Sequence, residues 1–249
     1  MLDYIALAVS GFFAWLVSTV AGVGGAFLLV PLVGFIAGAQ AVAPVATLAT
    51  LIAGGGRALV FRRDIEWAVV RWGLPGAVLG ALLGAAVFAS LRAEWLQLVV
   101  GVFLLTLVWQ RRFGKLKTEL SIAAWWFFPA HLAVGFFSGL VGAMGPVLNP
   151  LYLNAGISRQ RLVGTKTAVS LPMHGVKMLA YLALGALSGQ LLWFGLAAGV
   201  GALAANWLAR RALSGMQQRT SKALIYGFMA VSGLVMIWQQ RGLLLKLFD

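Results

Sequence analysis

The sequence contains no cysteine and, among its 249 residues, only six acidic ones. Without cysteine there can be no disulfide, no thiolate metal site and no cysteine nucleophile. The acids all lie near the chain ends or between apolar segments: Asp3, Asp64, Glu66, Glu94, Glu119 and Asp249. The scarcity of carboxylates inside apolar segments argues against an acidic cation pore, a carboxylate proton relay and catalysis by paired carboxylates.

Charge of either sign is scarce, since charged residues make up 10% of the chain and hydrophobic residues 61%. Soluble domains carry about 25% charged and roughly 45–50% apolar residues, which excludes a soluble enzyme and a disordered chain. The formal net charge is +13, but the chain has too little polar surface for a nucleic-acid-binding face. The composition predicts an all-α polytopic membrane protein with its basic residues in the loops.

Apolar segments follow one another with only short polar stretches between them, so no linker could hold a soluble domain. They are residues 3–38, 41–61, 67–90, 94–110, 122–157, 162–185, 189–209 and 220–240. As a straight helix, 3–38 or 122–157 would measure about 54 Å against a hydrocarbon core of about 30 Å. Both contain glycine and proline, at 22–31 and 142–150, and we predict that each forms a broken-helix hairpin.

The two long segments begin similar halves of the chain, which indicates an internal repeat. The matched positions are residues 18–22 with 138–142, Pro31 with Pro150, and 46–47 with 164–165. Interrupted segments in corresponding positions of two halves point to a transporter binding site. We therefore predict two transmembrane repeats, 1–120 and 121–249, each a broken-helix hairpin followed by three transmembrane helices.

Loop charge favours ten membrane crossings, five in each repeat, because eight crossings leave the basic residues evenly divided. With ten, one side receives Arg62, Arg63, Arg111, Arg112, Lys115, Lys117, Arg159, Arg161, Arg210, Arg211, Arg219 and Lys222, and the other Arg92, Arg241 and Lys246. This asymmetry agrees with the positive-inside rule. An odd number of crossings inverts the repeats, and we predict a bacterial cytoplasmic (inner) membrane protein with both termini outside.

Glycine spacing predicts where helices approach closely. The candidate ladders of small residues are Gly76-xxx-Gly80-xxx-Gly84, Gly185-xxx-Gly189 and Gly195-xxx-Gly199. Such spacings allow the close backbone contacts that helices use in lipid. The run at 54–56 is three successive glycines, for which we predict an unwound helix with exposed amides.

Lys177 is the main candidate for binding a ligand, because it lies well inside the apolar segment 162–185. A buried ammonium costs about 2.5–3.5 kcal/mol on insertion scales, and with no acid nearby in sequence its expected partner is a substrate anion. His174 lies one turn earlier on the same helical face, with a hydrogen-bonded core role as the alternative. Arg57 and Lys166 could instead extend to the interface, and His131 is expected to be structural.

The predicted substrate-binding residues combine this basic group with neutral polar and glycine positions in both halves. They are Gly22, Gly24, Gly25, Thr47, Thr50, Arg57, Gly142, Gly145, Asn149, Thr165, Lys166, Ser170, His174 and Lys177. The glycines would present backbone N–H groups at helix ends, which favour anions. No cofactor site, metal site or catalytic motif is predicted.

The motif residues resemble the sulfite exporter TauE/SafE family. The first copy is Ser-x-x-x-Gly-x-Gly-Gly at 18–25 followed by Pro31, and the second lies at 138–150. The resemblance spans nearly the whole chain and includes its duplication. It implies multi-span secondary transport of sulfite, organosulfonates or similar sulfur-containing anions, often as export.

The expected function is therefore anion transport by alternating access through a basic midplane site between two inverted repeats. The alternatives are an anion channel and a transporter of a different small anion, such as a carboxylate. A membrane-embedded enzyme or assembly factor is disfavoured because no catalytic constellation is found. The expected partners are a small anion and the lipid bilayer, with no nucleic acid and with the oligomeric state open.

Overall fold

The computed structural model describes residues 1–21, 25–60, 62–113, 123–143, 147–212 and 218–245. Regular structure in these ranges is helical, with no strand. The first half of the chain forms α1 (Leu2–Ala21), α2 (Ala26–Ala37), α3 (Ala39–Val60), α4 (Trp67–Ser90) and α5 (Ala93–Phe113). After a single 3₁₀ turn, the second half forms α6 (Phe127–Val141), α7 (Asn149–Asn154), α8 (Arg159–Ala183), α9 (Gly189–Ala212), α10 (Gln218–Gln239) and α11 (Arg241–Leu245).

Both long apolar segments are broken, as predicted, into a long helix and a short one. In the first half α2 has 12 residues, and in the second α7 has 6. At 1.5 Å per residue these helices measure about 18 Å and about 9 Å, well short of a hydrocarbon core of about 30 Å. Neither short helix is long enough to cross a bilayer alone; α2 packs against α1, and Tyr152 of α7 bonds to His131 of α6.

Three helical stretches in the described ranges are long and apolar enough to cross a membrane: Trp67–Ser90, Ala124–Val141 and Gly189–Leu208. Shorter apolar helices include Leu2–Val17, Ala26–Ala37, Ala39–Gly55, Ala93–Thr106 and Tyr226–Gln239. Bulky apolar side chains on the outside of the bundle, such as Leu83, Val200 and Leu234, are more than half exposed. An apolar outer surface on a helical bundle is the surface that lipid covers, so the chain is an integral membrane protein.

Helix contacts join the two halves in matching pairs. The helix α4 packs along α6, and α1 packs along α9. Likewise α8 contacts α4 while α3 contacts α9, and the two central helices α3 and α8 contact each other. Each contact thus has a counterpart in which the two halves exchange roles.

Glycine permits the closest of these contacts, as predicted for the ladder at 76–84. A Cβ atom on Gly80 would lie 2.1 Å from the carbonyl oxygen of Leu132. The same holds between α1 and α9, where a Cβ on Gly201 would lie 1.9 Å from the carbonyl oxygen of Ala8. Both pairs of backbones therefore touch where only glycine fits.

Two glycine predictions are wrong. Gly185 lies in the turn after α8 with φ +70°, and Gly189 begins α9 with no atom within 4 Å of its Cβ position, because the spacing falls across a helix end. The run at 54–56 lies inside α3, which continues unbroken to Val60. Tertiary packing overrides the low helix propensity of glycine there. By contrast Gly195 and Gly199 receive side chains of α3, as their spacing predicts.

Candidate functional site

The helix α6 ends inside the protein, next to α3. Gly142 ends it in the left-handed region, with φ +86°, a conformation that glycine adopts without steric strain. A Cβ atom at this position would lie 2.9 Å from the carbonyl oxygen of Ala43. Carbonyl groups in the last turn of a helix have no partners within the helix, so the end of α6 needs donors from elsewhere.

Lys177 of α8 supplies donors to that helix end. Its side chain is fully buried, and Nζ donates to the Ser138 carbonyl oxygen and to Ser138 Oγ, both at 2.9 Å. A third, longer contact of 3.4 Å reaches the carbonyl oxygen of Gly142. The ammonium thus lies at the negative end of the α6 dipole, where a cation is stabilised.

Tyr181 lies one turn beyond Lys177 and adds a further bond between α8 and the end of α6. Its buried hydroxyl donates to the carbonyl oxygen of Gly139. The same hydroxyl lies beside Thr47 of α3. We call the following residues the polar cluster: Thr47, Ser138, Gly142, His174, Lys177 and Tyr181.

Two buried polar atoms of this cluster make no hydrogen bond to other described residues. They are Thr47 Oγ1, on a side chain that is 0% exposed, and Nδ1 of His174, which is 6% exposed. Most buried polar atoms in proteins are paired, because an unpaired one costs free energy on folding. These two atoms, on the contacting helices α3 and α8, are among the described residues unpaired polar positions in the bundle interior.

The charge of the polar cluster is positive and unbalanced within the described part of the chain. All three acceptors of Lys177 are neutral oxygens. The one ion pair found among the described residues, Glu66 with Arg161, lies at a different place, near the start of α8. An anion entering the polar cluster would therefore meet a cation and no competing carboxylate among these residues.

Four other predicted residues make hydrogen bonds outside the polar cluster, at the starts of α7 and α8 and within α3. Lys166 Nζ donates to Oδ1 of Asn149 at 2.6 Å, which joins α8 to the beginning of α7. Thr165 Oγ1 accepts the backbone N–H of Glu66 at 2.9 Å. Thr50 donates its hydroxyl to its own helix, at the carbonyl oxygen of Ala46.

Of the remaining predicted residues, two lie within the described ranges and four lie outside them. Gly25 packs directly under the indole of Trp15, where a Cβ atom would lie 2.3 Å from the ring, and Ser170 is half-buried on α8. Outside the described residues lie Gly22, Gly24, Gly145 and the side chain of Arg57.

His131 has a structural environment, as expected from the sequence. Its Nδ1 lies 2.8 Å from the Phe127 carbonyl oxygen, which can only accept, so Nδ1 carries the proton. Its Nε2 then accepts from the hydroxyl of Tyr152, at 2.9 Å. Both ring nitrogens are satisfied, and the pair fastens α7 to α6.

Ser138 and Tyr181 belong to the polar cluster although neither was among the predicted site residues. Tyr181 follows Lys177 by four residues, which places both on one helical face, and this spacing is the sequence signal that could have found it. The backbone carbonyls that the two side chains bind carry no such signal. No group of three or more potential metal-ligating side chains occurs in the described ranges.

Comparison with known proteins gives one match. The model of a protein family described as "Sulfite exporter TauE/SafE" matches residues 7–236. No curated protein and no solved structure matches the chain. The matched range includes every helix that contributes to the polar cluster.

Proposed function

The chain belongs to the sulfite exporter TauE/SafE family, and on that premise we propose that it is a secondary transporter of sulfur-containing anions. The substrate class is sulfite and organosulfonates. The proposed path runs through the polar cluster and works by alternating access. The observation that carries this proposal is the buried ammonium of Lys177, which has three neutral acceptors and no carboxylate among the described residues.

An anion can gain bonds at the polar cluster. A sulfite or sulfonate group has several acceptor oxygens, and the cluster offers the Lys177 ammonium, the His174 ring one turn before it, and the Thr47 hydroxyl beside Tyr181. In the described state Lys177 donates to the end of α6 instead. An anion that draws the ammonium towards itself weakens the hold of α8 on α6, which links binding to movement.

Two inverted repeats, 1–120 and 121–249, fit this mechanism. The paired contacts of α4 with α6 and of α1 with α9 support the proposal, because they exchange the roles of the halves. Counting each broken segment, with its short helix and flanking residues, as two passages of the chain gives the ten crossings expected from loop charge, with both termini outside a bacterial inner membrane. A monovalent anion leaving a cell with a negative interior gains about 2.3 kcal/mol per 100 mV, so export needs no coupling ion.

The test is transport of radiolabelled sulfite by purified protein in liposomes. We expect saturable flux by the unmodified protein and, for Lys177→Ala, flux no greater than that of empty liposomes. Lys177→Arg, which retains the charge and donors, should keep part of the flux. Arg92→Ala is the matched control, since it removes an exposed cation far from the cluster in sequence.

Folding has to be measured separately, because Lys177 also holds the end of α6. Lys177→Met fills the same volume without the charge and serves if the alanine variant unfolds. Thermal unfolding followed by tryptophan fluorescence identifies the folded variants. Full flux by a folded Lys177→Ala or Lys177→Met protein would contradict the site, and no flux of sulfite or sulfonates by the unmodified protein would contradict the function.

An anion channel is the second candidate, supported by the same unbalanced positive charge. Counterflow measured with the membrane potential held at zero separates the two, since only a carrier then accumulates labelled anion in exchange for unlabelled anion from inside. We expect counterflow with sulfite. Flux that rises with voltage without saturating, and shows no counterflow, would identify a channel.

A further inference from the structure

Thr165 and Thr47 occupy matching positions in the two halves but have different partners. The sequence aligns residues 46–47 with 164–165, and both threonines are 0% exposed. Thr165 Oγ1 accepts the N–H of Glu66, the residue before α4, at 2.9 Å. Thr47 Oγ1 lies beside the Tyr181 hydroxyl and, within the described part of the chain, makes no hydrogen bond to the start of a helix.

The two helices that pack against α8 and α3 also differ at their starts. The start of α4 has no cap from its own side chain and takes its bond from Thr165 instead. The helix α9, which contacts α3 as α4 contacts α8, is capped locally, because Ser188 Oγ accepts the N–H of Leu191 at 3.3 Å. Among the described residues, the start of α4 is therefore bonded to a threonine of the other half, whereas the start of α9 is capped by its own serine.

An ion pair lies beside the bond between Thr165 and Glu66. Arg161 Nη1 lies 2.9 Å from Oε2 of Glu66, one turn of α8 before Thr165. The two side chains are 61% and 35% exposed, and exposed ion pairs contribute little to stability. A cavity of about 190 Å³ lies against this pair, with Val69 and Ile157 among its walls. A weak contact beside a cavity is one that can open in each transport cycle.

We propose that Glu66, Arg161 and Thr165 form a latch that closes the Arg161 end of the transport path, and that the described state is latched there and unlatched at the Thr47 end. The inference rests on the proposed transport function. It gives Thr165 a gating role in place of the substrate-binding role expected from the sequence. In the opposite state Thr47 takes the bond to the start of α9 and the Thr165 bond breaks.

Labelling tests the latch without any transport measurement. Val69 is 4% exposed on the cavity wall, and the chain has no other cysteine to react. In nanodiscs free of sulfite, which adds to maleimides, we expect Val69→Cys to react slowly with a maleimide. Adding Glu66→Gln should speed the reaction roughly threefold or more, whereas adding Glu94→Gln, an exposed acid without an ion pair in the described residues, should not. Equal rates in both backgrounds would overturn the latch.

Cross-linking tests its role in transport. Glu66→Cys combined with Arg161→Cys, bridged by dibromobimane through thioethers that sulfite does not cleave, should lose at least about nine-tenths of its sulfite flux. Treatment with the cross-linker should leave the flux of each single cysteine variant at that variant's own untreated level. Full flux by the cross-linked protein would overturn the latch. Absence of flux from the unmodified protein would overturn the proposed function instead, and the labelling result would still decide on the latch.

Discussion

At the scale of residues, the two histidines of the chain differ in how well their ring nitrogens are satisfied. His131 has a carbonyl on one nitrogen and the Tyr152 hydroxyl on the other. His174 has a buried Nδ1 without a partner in the described ranges. A satisfied group stabilises the fold, whereas an unsatisfied one persists where it serves a function.

Replacing each histidine by leucine should therefore change stability in different ways. His131→Leu leaves the Tyr152 hydroxyl without its partner and removes the side-chain bond to the Phe127 carbonyl, and it should lower the free energy of unfolding by about 1–3 kcal/mol. His174→Leu removes a buried unpaired atom and should leave that free energy unchanged or raise it by up to about 1 kcal/mol, while sulfite flux falls. Unfolding in mixed micelles, followed by tryptophan fluorescence, measures the free energy of unfolding. Equal destabilisation by both changes would contradict this assignment.

The residue scale also shows what the sequence could not predict at the site. Lys177 was found because a charge in an apolar segment is costly. Its acceptors, the Ser138 and Gly142 carbonyls, are backbone atoms at a helix end, and their position depends on where α6 stops and how α8 packs. Tyr181 was missed because a single aromatic residue in an apolar segment is indistinguishable from core.

At the scale of elements, α4 and α6 are held together by backbone contact along glycine faces. A Cβ atom on Gly84 would lie 2.1 Å from the carbonyl oxygen of Phe136. The reverse contact is also close, since a Cβ on Gly135 of α6 would lie 2.4 Å from the carbonyl oxygen of Ala77 in α4. Because lipid provides no hydrophobic drive between helices, this close packing supplies the association.

A single methyl group in this interface should separate the helices. Gly80→Ala places a Cβ against the Leu132 carbonyl and should lower the free energy of unfolding by about 1–3 kcal/mol. Gly227→Ala in α10 is the control, because nothing lies within 4 Å of its Cβ position. The control should be neutral or stabilising by up to about 1 kcal/mol. The same unfolding assay compares the two, and a neutral Gly80→Ala would argue against the contact.

The helices themselves were largely predictable. Apolar segments 67–90 and 189–209 coincide closely with α4 and α9, because hydropathy reflects the need to satisfy backbone groups in lipid. The prediction of an unwound helix at 54–56 was wrong, because local propensity does not include the packing of α3 against α8 and α9. The breaks were predicted from length, but the short helices α2 and α7 were not assigned bounds.

At the scale of the whole molecule, the distribution of basic residues sets the proposed orientation. Twelve loop cations are predicted on one side and three on the other, and the positive-inside rule then assigns the larger group to the cytoplasm. The proposed Glu66–Arg161 latch includes Arg161, a member of this larger group, and so belongs to the same predicted side. The orientation therefore also decides which compartment the latch closes against.

Cysteine labelling tests this orientation directly, because the chain contains no native cysteine. In intact cells an impermeant maleimide should label Arg92→Cys and leave Lys115→Cys unlabelled. Permeabilised cells should label both, which controls for reactivity. Labelling of position 115 from outside intact cells would invert the proposed topology, and with it the compartment assigned to the latch.

The contact between α1 and α9 has a consequence for biosynthesis. α1 ends at Ala21 and α9 begins at Gly189, so a ribosome working at about 5–20 residues per second finishes one roughly ten seconds or more before the other emerges. Throughout that interval the groove at Gly11, which finally receives the backbone of Ala198, has no partner of its own. The newly made first half must therefore wait in the membrane, shielded by lipid or by the insertion machinery, until the second half arrives to close it.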